Sequence, residues 1–267
     1  MLSANEEIIV LANKKIVHYS DELNDEFSGV HRKTVTIDHS FVYHHANFFW
    51  RFFSFILYRC IMTPIAFIYL KYKFHLKVVN NQILKKEKFS FFIYGNHTQL
   101  PGDGYIPSVI AFPKNTSVIV NADNISLPGT KTFMTMIGAV PIPNKISGMR
   151  GFTEYMKFLA EHNRAIAVYP EAHIWPYYTK IRPFKSDSFR FPIMHNKKAF
   201  CFTVTYQRRR FSAKPAMTVF VDGPFLPDST LSKKDAAEKL RNEVFRIMTE
   251  RSRNSTYEYI SYVRKEN

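Results

Sequence analysis

The sequence predicts an α/β fold: a mixed, partly parallel central sheet flanked by helices, with an apolar helical segment preceding it near the N-terminus. Two observations predict the sheet. Short apolar runs of strand length alternate with longer amphipathic stretches across residues 76–267, and polar turn residues follow several of the apolar runs. The chain has 267 residues, 46% of them hydrophobic, which is enough to form the core of one such domain.

The predicted strands and helices alternate along the chain. Residues 89–94 read FSFFIY and predict a strand that is buried on both faces. Residues 151–162 predict an amphipathic helix with Phe152, Met156 and Leu159 on one face, and a C-terminal helix is expected from Ser232 to near Arg251. The remaining predicted elements are strands at 117–120, 139–141, 165–169, 200–206 and 216–221 and a helix at 131–137.

Three parts of the chain differ in composition. Residues 1–47 are mixed and polar and predict an N-terminal arm, whose order the pattern leaves open. Residues 48–75 are strongly apolar and predict a helical segment. Residues 76–267 carry the α/β pattern and predict a single domain, because no linker-like stretch interrupts them.

The apolar segment begins at residue 48 with FFWRFFSFILYRCIMTPIAFIYL. A membrane-spanning helix needs about 20 mainly apolar residues, whereas Arg51 and Arg59 interrupt this segment and Pro64 is expected to kink a helix. Trp50 and several tyrosines accompany the arginines, which is typical of a helix or helix pair in the membrane interface with its arginines reaching toward headgroups. A buried helical hairpin and a single membrane span are the alternatives.

The net charge indicates which partners the protein binds, and the number of cysteines indicates its redox compartment. A formal net charge of +15 favours anionic partners: membrane phospholipid, nucleic acid or a phosphorylated substrate. Zinc-finger spacing, a glycine-rich phosphate loop and an RNP-type signature are missing from the sequence, so nucleic acid is a less favoured partner than membrane phospholipid or a phosphorylated substrate. The two cysteines, Cys60 and Cys201, are too few for a disulfide framework and indicate a reducing, cytoplasmic setting.

Polar residues follow the first predicted strand in the sequence GNHTQLPGD, residues 95–103. In α/β sheets, functional residues gather where the chain leaves the carboxyl ends of strands. Asp103 can loop back to fix the tautomer of His97 and stabilise its charged form. Such a pair can deprotonate an alcohol that attacks a thioester. The alternative is a turn of Asn, Pro and Gly that carries a surface histidine.

A second polar turn, Pro170-Glu171, follows the strand predicted at 165–169. It is expected to place the Glu171 carboxylate at the same sheet edge as His97, and the alternative is a strand-ending turn with a solvated glutamate. The histidines show no metal-ligand spacing, so no metal site is expected. Cys201 lies in a predicted strand and is expected to be a core residue rather than a nucleophile.

In this order and at this separation, the two blocks resemble the signature blocks of the PlsC-like 1-acylglycerol-3-phosphate acyltransferases, a family of lysophospholipid and glycerolipid acyltransferases. The family's first block reads Asn-His, four residues, Asp, and the third reads Phe-Pro-Glu-Gly-Thr-Arg. Residues 138–143 (GAVPIP) occupy the place of the second block, and residues 183–185 (PFK) resemble a later Pro-Phe-Lys stretch. The resemblance covers residues 50–225.

The chain departs from the family pattern in each block. Five residues, not four, separate His97 from Asp103. The second block lacks its usual arginine, and the third has AHI over residues 172–174 where the family has Gly-Thr-Arg. The resemblance implies that the missing arginines would hold the phosphate of the acceptor. Either other cations replace them, or the acceptor carries no phosphate there; the candidate cations are Lys145, Lys180, Arg182 and Lys185.

The resemblance implies transfer of a fatty acyl group from a thioester, acyl-CoA or acyl-carrier protein, to a hydroxyl of a lysophospholipid such as 1-acylglycerol-3-phosphate. It implies that His97 is the catalytic base and that Asp103 holds its ring. No metal or other cofactor is expected. The substrate-binding residues that the resemblance implies, or that stand in for its missing arginines, are Asn96, Lys145, Glu171, Arg182 and Lys185.

The expected partners are a membrane phospholipid surface and the thioester donor, with the protein peripheral or monotopic on the cytoplasmic face. Two rival classes stay open: a non-catalytic membrane-binding relative and a basic nucleic-acid binder. Within the enzymes, an acceptor alcohol or amine without a phosphate is the alternative. The sequence Arg208-Arg209-Arg210 is either a solvated loop or a contact for lipid headgroups or an acidic acyl-carrier protein.

Overall fold

The computed structural model describes residues 15–27, 34–126 and 129–265. In chain order its strands are β1 (Lys15–Tyr19), β2 (Lys77–Val79), β3 (Phe91–Gly95), β4 (Asn115–Val120), β5 (Ala139–Pro141), β6 (Arg164–Val168), β7 (Ala199–Arg209), β8 (Ser212–Phe225) and β9 (Ile260–Arg264). Its helices are α1 (Phe48–Phe74), α2 (Gln82–Lys85), α3 (Gly102–Ile110), α4 (Thr130–Met136), α5 (Met149–Glu161), α6 (Arg190–His195) and α7 (Lys233–Ser252).

A seven-stranded sheet, in the order β2-β8-β7-β3-β6-β4-β5, forms the centre of the described part of the chain. The strands β7, β3, β6, β4 and β5 run parallel, whereas β8 is antiparallel to β7 and β2 is parallel to β8. The prediction of a mixed, partly parallel sheet is therefore confirmed. Each strand predicted from the sequence overlaps one of these seven strands.

Helices cover both faces of the sheet, as predicted. Side chains of β3 alternate between the faces because successive residues of a strand point in opposite directions. Phe91 and Ile93 belong to a core that α1 and α3 complete, while Phe92 and Tyr94 belong to a second core that α5 and α7 complete. Burial on both faces explains why the sequence of β3 is continuously apolar.

The apolar segment is one continuous helix of 27 residues, α1, and an 18-residue stretch within it has a mean hydropathy of 1.7. By length and composition it can associate with a membrane or cross one. A π-helical stretch, Ile56–Met62, precedes Pro64, and the helix continues through both. Its buried residues, Thr63, Ala66, Leu70 and Phe74, form a narrow stripe at helical spacing, and most of its other side chains are exposed. The segment therefore forms a single, largely exposed helix and not a buried helical hairpin.

A second sheet joins distant parts of the chain and was not predicted. Strand β1 pairs in parallel with β9, with Lys15 opposite Ile260. Tyr19 of β1 and Tyr262 of β9 contact the ring of Trp175, at centroid distances of 4.8 and 4.9 Å. This pairing ties residues 15–19 to the domain, so the described part of the predicted arm is attached to the region around Trp175.

Gly95, the last residue of β3, leaves no room for a side chain. A Cβ atom there would lie 2.1 Å from Cζ of Phe202, which is fully buried on the neighbouring strand β7. We expect Gly95→Ala to lower the free energy of unfolding by about 1–3 kcal/mol, because a packed core resists an added methyl group. Thermal or urea unfolding in detergent measures this loss.

The matched control for Gly95→Ala is Gly104→Ala. Gly104 lies in α3, and a methyl group added at this residue would have no atom within 4 Å, so alanine meets open space. Because alanine is the better helix former, the control is expected to be neutral or slightly stabilising. Equal stability of Gly95→Ala and the wild type would contradict the close packing of Phe202 on Gly95.

Candidate active site

Two polar segments meet at the carboxyl edge of the central sheet. Strands β3 and β6 are adjacent and parallel, with Tyr94 paired to Val168, so the residues that follow them emerge side by side. The β3–α3 loop, residues 96–101, carries His97, and the turn after β6 carries Glu171. The backbone N–H of His97 donates to Oε2 of Glu171 over 3.3 Å, which joins the two segments directly.

His97 and Asp103 form a hydrogen-bonded pair. Nδ1 of His97 lies 2.7 Å from Oδ2 of Asp103. Because α3 begins at Gly102, Asp103 occupies the first helical turn, and its N–H donates to the carbonyl oxygen of Gln99 over 2.8 Å. The N–H of Gln99 donates in turn to Oδ2 of Asp103 over 2.9 Å. A separation of five residues is thus compatible with a close pair.

The environment of the pair leaves one imidazole nitrogen for a ligand. Asp103 is 3% exposed, and burial raises the pKa of its carboxyl while the contact with His97 opposes that rise. With Nδ1 held by the carboxylate, Nε2 of His97 makes no hydrogen bond to the described part of the chain. A histidine oriented in this way can accept a proton at Nε2, and the buried carboxylate stabilises the resulting imidazolium.

Two tyrosines hold the β3–α3 loop in place. The ring of Tyr169 stacks on His97 with centroids 4.7 Å apart and planes at 27°, and its hydroxyl donates to the carbonyl oxygen of Asp103. On β7, the hydroxyl of Tyr206 lies 2.7 Å from Oγ1 of Thr98. Both tyrosines are therefore candidates for positioning the histidine, and their roles were not predicted from the sequence.

Glu171 forms a buried ion pair with Arg182. Nε of Arg182 lies 3.5 Å from Oε2 of Glu171, and the backbone N–H of Arg182 donates to Oε1 over 3.2 Å. The guanidinium also donates to the carbonyl oxygens of Glu22 and His173 and lies 5.0 Å from the ring of Trp175. Burial raises the pKa of Glu171, and the charge of Arg182 opposes that rise.

A short segment from the N-terminal part of the chain closes one side of the site. This N-terminal strap, residues 20–27, follows β1. Nε1 of Trp175 donates to the carbonyl oxygen of Asp25 over 2.7 Å, which fastens the strap to the segment after Glu171. Leu23 and Asn24 of the strap line the cavity described next.

A cavity of about 550 Å³ opens at this edge of the sheet. His97, Asp103, Glu171 and Lys185 contribute to its polar part. Much of the remaining wall is apolar, as in most sites that take a ligand with a hydrocarbon part. The apolar residues include Val118, Val120, Met134, Ile142, Phe184 and Phe191.

Two of the residues expected to bind substrate have other surroundings in the structure. The carboxamide of Asn96 is 1% exposed and bonds to the backbone of Val204 in both directions, over 3.1 and 2.7 Å. It links the end of β3 to β7 and does not line the cavity. Lys145 precedes the short turn Ile146–Gly148 and also lies outside the cavity wall.

Arg182 is the third residue expected to bind substrate that has other surroundings in the structure. Its side chain is fully buried, and its guanidinium is engaged by Glu171 and by carbonyl oxygens, so it is not presented to the cavity. An arginine in these contacts positions the Glu171 segment rather than binding an anion from solvent. Of the residues expected to bind substrate, Glu171 and Lys185 line the cavity.

The cysteines and the other titratable residues add no second centre in the described part of the chain. Within residues 15–27, 34–126 and 129–265, no group of three or more His, Cys, Asp or Glu side chains could hold a metal ion. Cys201 lies in the core, where burial raises the pKa of its thiol, so it is a core residue. Cys60 is exposed on α1.

The fold and the site together define an α/β enzyme whose histidine–carboxylate pair faces a largely apolar cavity at the carboxyl edge of the sheet. Residues 75–207 match a family model described as Acyltransferase. The chain belongs to this family and is an acyltransferase, as the sequence motifs predicted.

The fold is similar to that of a solved acyltransferase. The match is the crystal structure of the 1-acyl-sn-glycerophosphate (LPA) acyltransferase PlsC from Thermotoga maritima, with a TM-score of 0.53 and 16% sequence identity. It covers 78% of this chain and 89% of that chain. No curated protein matches the chain significantly in sequence. The protein is thus an acyltransferase-family member with a PlsC-like fold.

Proposed function

We propose that the protein transfers a fatty acyl group from a thioester donor, acyl-CoA or acyl-carrier protein, to a hydroxyl of a lysophospholipid such as 1-acylglycerol-3-phosphate. The observation that carries this proposal is the hydrogen bond between Nδ1 of His97 and Asp103 in the wall of a largely apolar cavity. The pair supplies a general base, and the apolar wall accommodates a hydrocarbon chain.

The proposed reaction uses His97 as base and then as acid. Nε2 accepts the proton of the acceptor hydroxyl while the oxygen attacks the thioester carbon, and Asp103 stabilises the imidazolium that forms. The tetrahedral intermediate collapses as the carbon–sulfur bond breaks, and the proton passes from the imidazolium to the leaving thiolate. The products are the ester and the free thiol, and the chain's own residues account for both proton transfers.

Membrane association is part of the proposal. The exposed apolar side chains of α1 include Phe48, Phe49 and Phe53, each more than half exposed. Together with the helix's length and hydropathy, they support a peripheral or monotopic position in the interface, where an acyl chain and a lysophospholipid are both available. We propose the cytoplasmic face because the chain carries few cysteines and a large positive charge.

The cations in the cavity wall bear on whether the headgroup of the acceptor carries a phosphate. Within the described residues, Lys185 is the only lysine or arginine that lines the cavity, since Arg182 is buried against Glu171. A phosphate monoester therefore has one cation available to it there, where the family pattern supplies arginines. This observation favours, as a second candidate, an acceptor without a phosphate monoester.

Thiol release from a long-chain acyl-CoA, measured in vesicles with different acceptors, tests the proposal. We expect release that depends on an acceptor, and a comparison of lysophosphatidic acid with lysophosphatidylcholine and monoacylglycerol identifies the headgroup. Lys185→Met should raise KM for lysophosphatidic acid more than for monoacylglycerol if Lys185 contacts a phosphate. A protein that releases no thiol with any of these acceptors, from acyl-CoA or acyl-carrier protein, would be a non-catalytic relative.

A further inference from the structure

The hairpin between β7 and β8 ends in a basic and aromatic tip. The tip comprises residues 208–214, with the sequence RRRFSAK, and its two-residue turn is Arg210–Phe211. Phe211 is 90% exposed, and the guanidinium of Arg210 lies 5.2 Å from its ring. An aromatic ring at this exposure, flanked by arginines, is a combination that favours a lipid–water interface.

The surroundings of this hairpin tip are free of acidic residues in the sequence. No Asp or Glu occurs from residue 188 to residue 221, so the two strands of the hairpin carry basic charge only up to that point. Within the described residues, Arg208, Arg209 and Arg210 form no ion pair with a carboxylate. The charge of the tip is therefore available to an external anionic partner.

The hairpin tip lies on the same side of the sheet's strand ends as the active site. Strand β7 pairs with β3 only as far as Phe202, opposite Gly95, so residues 203–209 extend beyond the carboxyl edge of β3. The hydroxyl of Tyr206, two residues before the tip, bonds to Thr98 in the β3–α3 loop. Tyr69, near the C-terminal end of α1, contacts Tyr105 in the first turns of α3, with ring centroids 5.5 Å apart. The hairpin tip and the C-terminal end of α1 thus lie at the same edge of the sheet.

We propose that the hairpin tip, residues 208–214, is a second membrane contact that inserts Phe211 and binds anionic phospholipid headgroups through Arg208, Arg209 and Arg210. This contact holds the carboxyl edge of the sheet, and hence the cavity, toward the lipid surface. A membrane fits better than a carrier protein because the tip is a narrow, convex turn. A specific protein interface buries about 800 Å² per partner, whereas a lipid surface accepts a single inserted ring.

The chain provides a matched control at the opposite edge of the sheet. Lys85, Lys86 and Lys88 are exposed and precede β3, and Phe89 beside them is 70% exposed. Like the hairpin tip, this cluster has three adjacent or nearly adjacent basic side chains and an exposed ring, although Glu87, which pairs with Lys198, lies among them. It lies at the amino edge, away from the cavity, so it is not expected to contact the membrane.

The first experiment measures partition of the full chain into vesicles of phosphatidylcholine alone or mixed with phosphatidylglycerol. Each basic residue near an anionic surface contributes about fivefold to binding, so the triple variant R208Q/R209Q/R210Q is expected to lose on the order of 10²-fold in affinity for the mixed vesicles. Binding to phosphatidylcholine should change little. The control K85Q/K86Q/K88Q should bind both vesicles as the wild type does; an equal loss in the two triple variants would overturn the proposal.

The second experiment tests insertion of the ring position directly. In a Cys60→Ser background, where the remaining Cys201 is buried, Phe211→Cys or Phe89→Cys is labelled with an environment-sensitive fluorophore. We expect blue-shifted emission and quenching by acyl-chain-brominated lipid at position 211 only, and only with phosphatidylglycerol present. A label at 211 that stays aqueous on vesicles but is protected by acyl-carrier protein would assign the tip to the carrier protein instead. Vesicle binding needs no donor or acceptor, so these outcomes are independent of the proposed reaction.

Discussion

Replacement of His97 with alanine is expected to lower kcat for acyl transfer by about 10²–10⁴-fold, the usual contribution of a general base. The hydroxyl of the acceptor then has no group to receive its proton, because Asp103 is buried behind the imidazole. Thiol release from acyl-CoA at saturating acceptor measures kcat. Asp103→Asn should also lower kcat, since it removes the carboxylate that stabilises the imidazolium.

The control for this experiment is His162→Ala. His162 lies exposed at the end of α5 and bonds to the backbone of Phe158, outside the cavity wall. It should retain the wild-type kcat, and the His97 and His162 variants should unfold at similar temperatures. An active His97→Ala enzyme with normal acceptor dependence would remove the histidine from the proposed mechanism and leave the acyltransferase assignment in place.

Loss of Arg182 is expected to have the largest effect on stability. Arg182→Met leaves the Glu171 carboxylate buried without its counter-ion, which typically costs about 3–5 kcal/mol in the free energy of unfolding. It also removes the donors that bind the carbonyl oxygens of Glu22 and His173, so the N-terminal strap loses one of its attachments. Urea unfolding in detergent gives the change in free energy.

The double variant E171Q/R182M separates the ion pair from the packing around it. With both charges removed, no uncompensated charge is left in the interior, and a large part of the lost stability should return. Lys185→Met, a change of the same type at an exposed neighbouring position, should shift the free energy of unfolding by less than about 0.5 kcal/mol. Arg182→Met with wild-type stability would contradict a charged, buried Glu171.

The central sheet could be predicted because its signal is local. Each predicted strand is a short apolar run. The pairing of β3 with β6 was not predicted, and the structure shows these two strands adjacent and parallel. Functional residues of α/β sheets follow the carboxyl ends of strands, and this rule alone predicts that His97 and Glu171 lie at one edge of the sheet. The sequence predicts a helix or a helix pair for the apolar segment, with a kink at Pro64, and the structure has one helix that continues through Pro64.

The rest of the site depends on contacts between residues far apart in sequence. Arg182 was expected to bind phosphate because the pattern shows charge but not burial, and only the fold places it against Glu171. Asn96 was expected to bind substrate because it precedes His97 in the motif, and the motif does not show that its carboxamide joins β3 to β7. The pairing of β1 with β9 spans more than two hundred residues and leaves no local periodicity that could predict it.

The attachment of the N-terminal strap has a consequence for how substrate preference can evolve. Leu23 and Asn24 form part of the cavity wall, yet they belong to neither the central sheet nor the loop that bears His97. Their segment is fastened through β1, through Trp175 and through the bond from Arg182 to the carbonyl oxygen of Glu22. Substitutions of Leu23 or Asn24 can therefore change the shape of the wall without removing these attachments or the contacts of His97 and Asp103, which gives related enzymes a route to new ligand preferences.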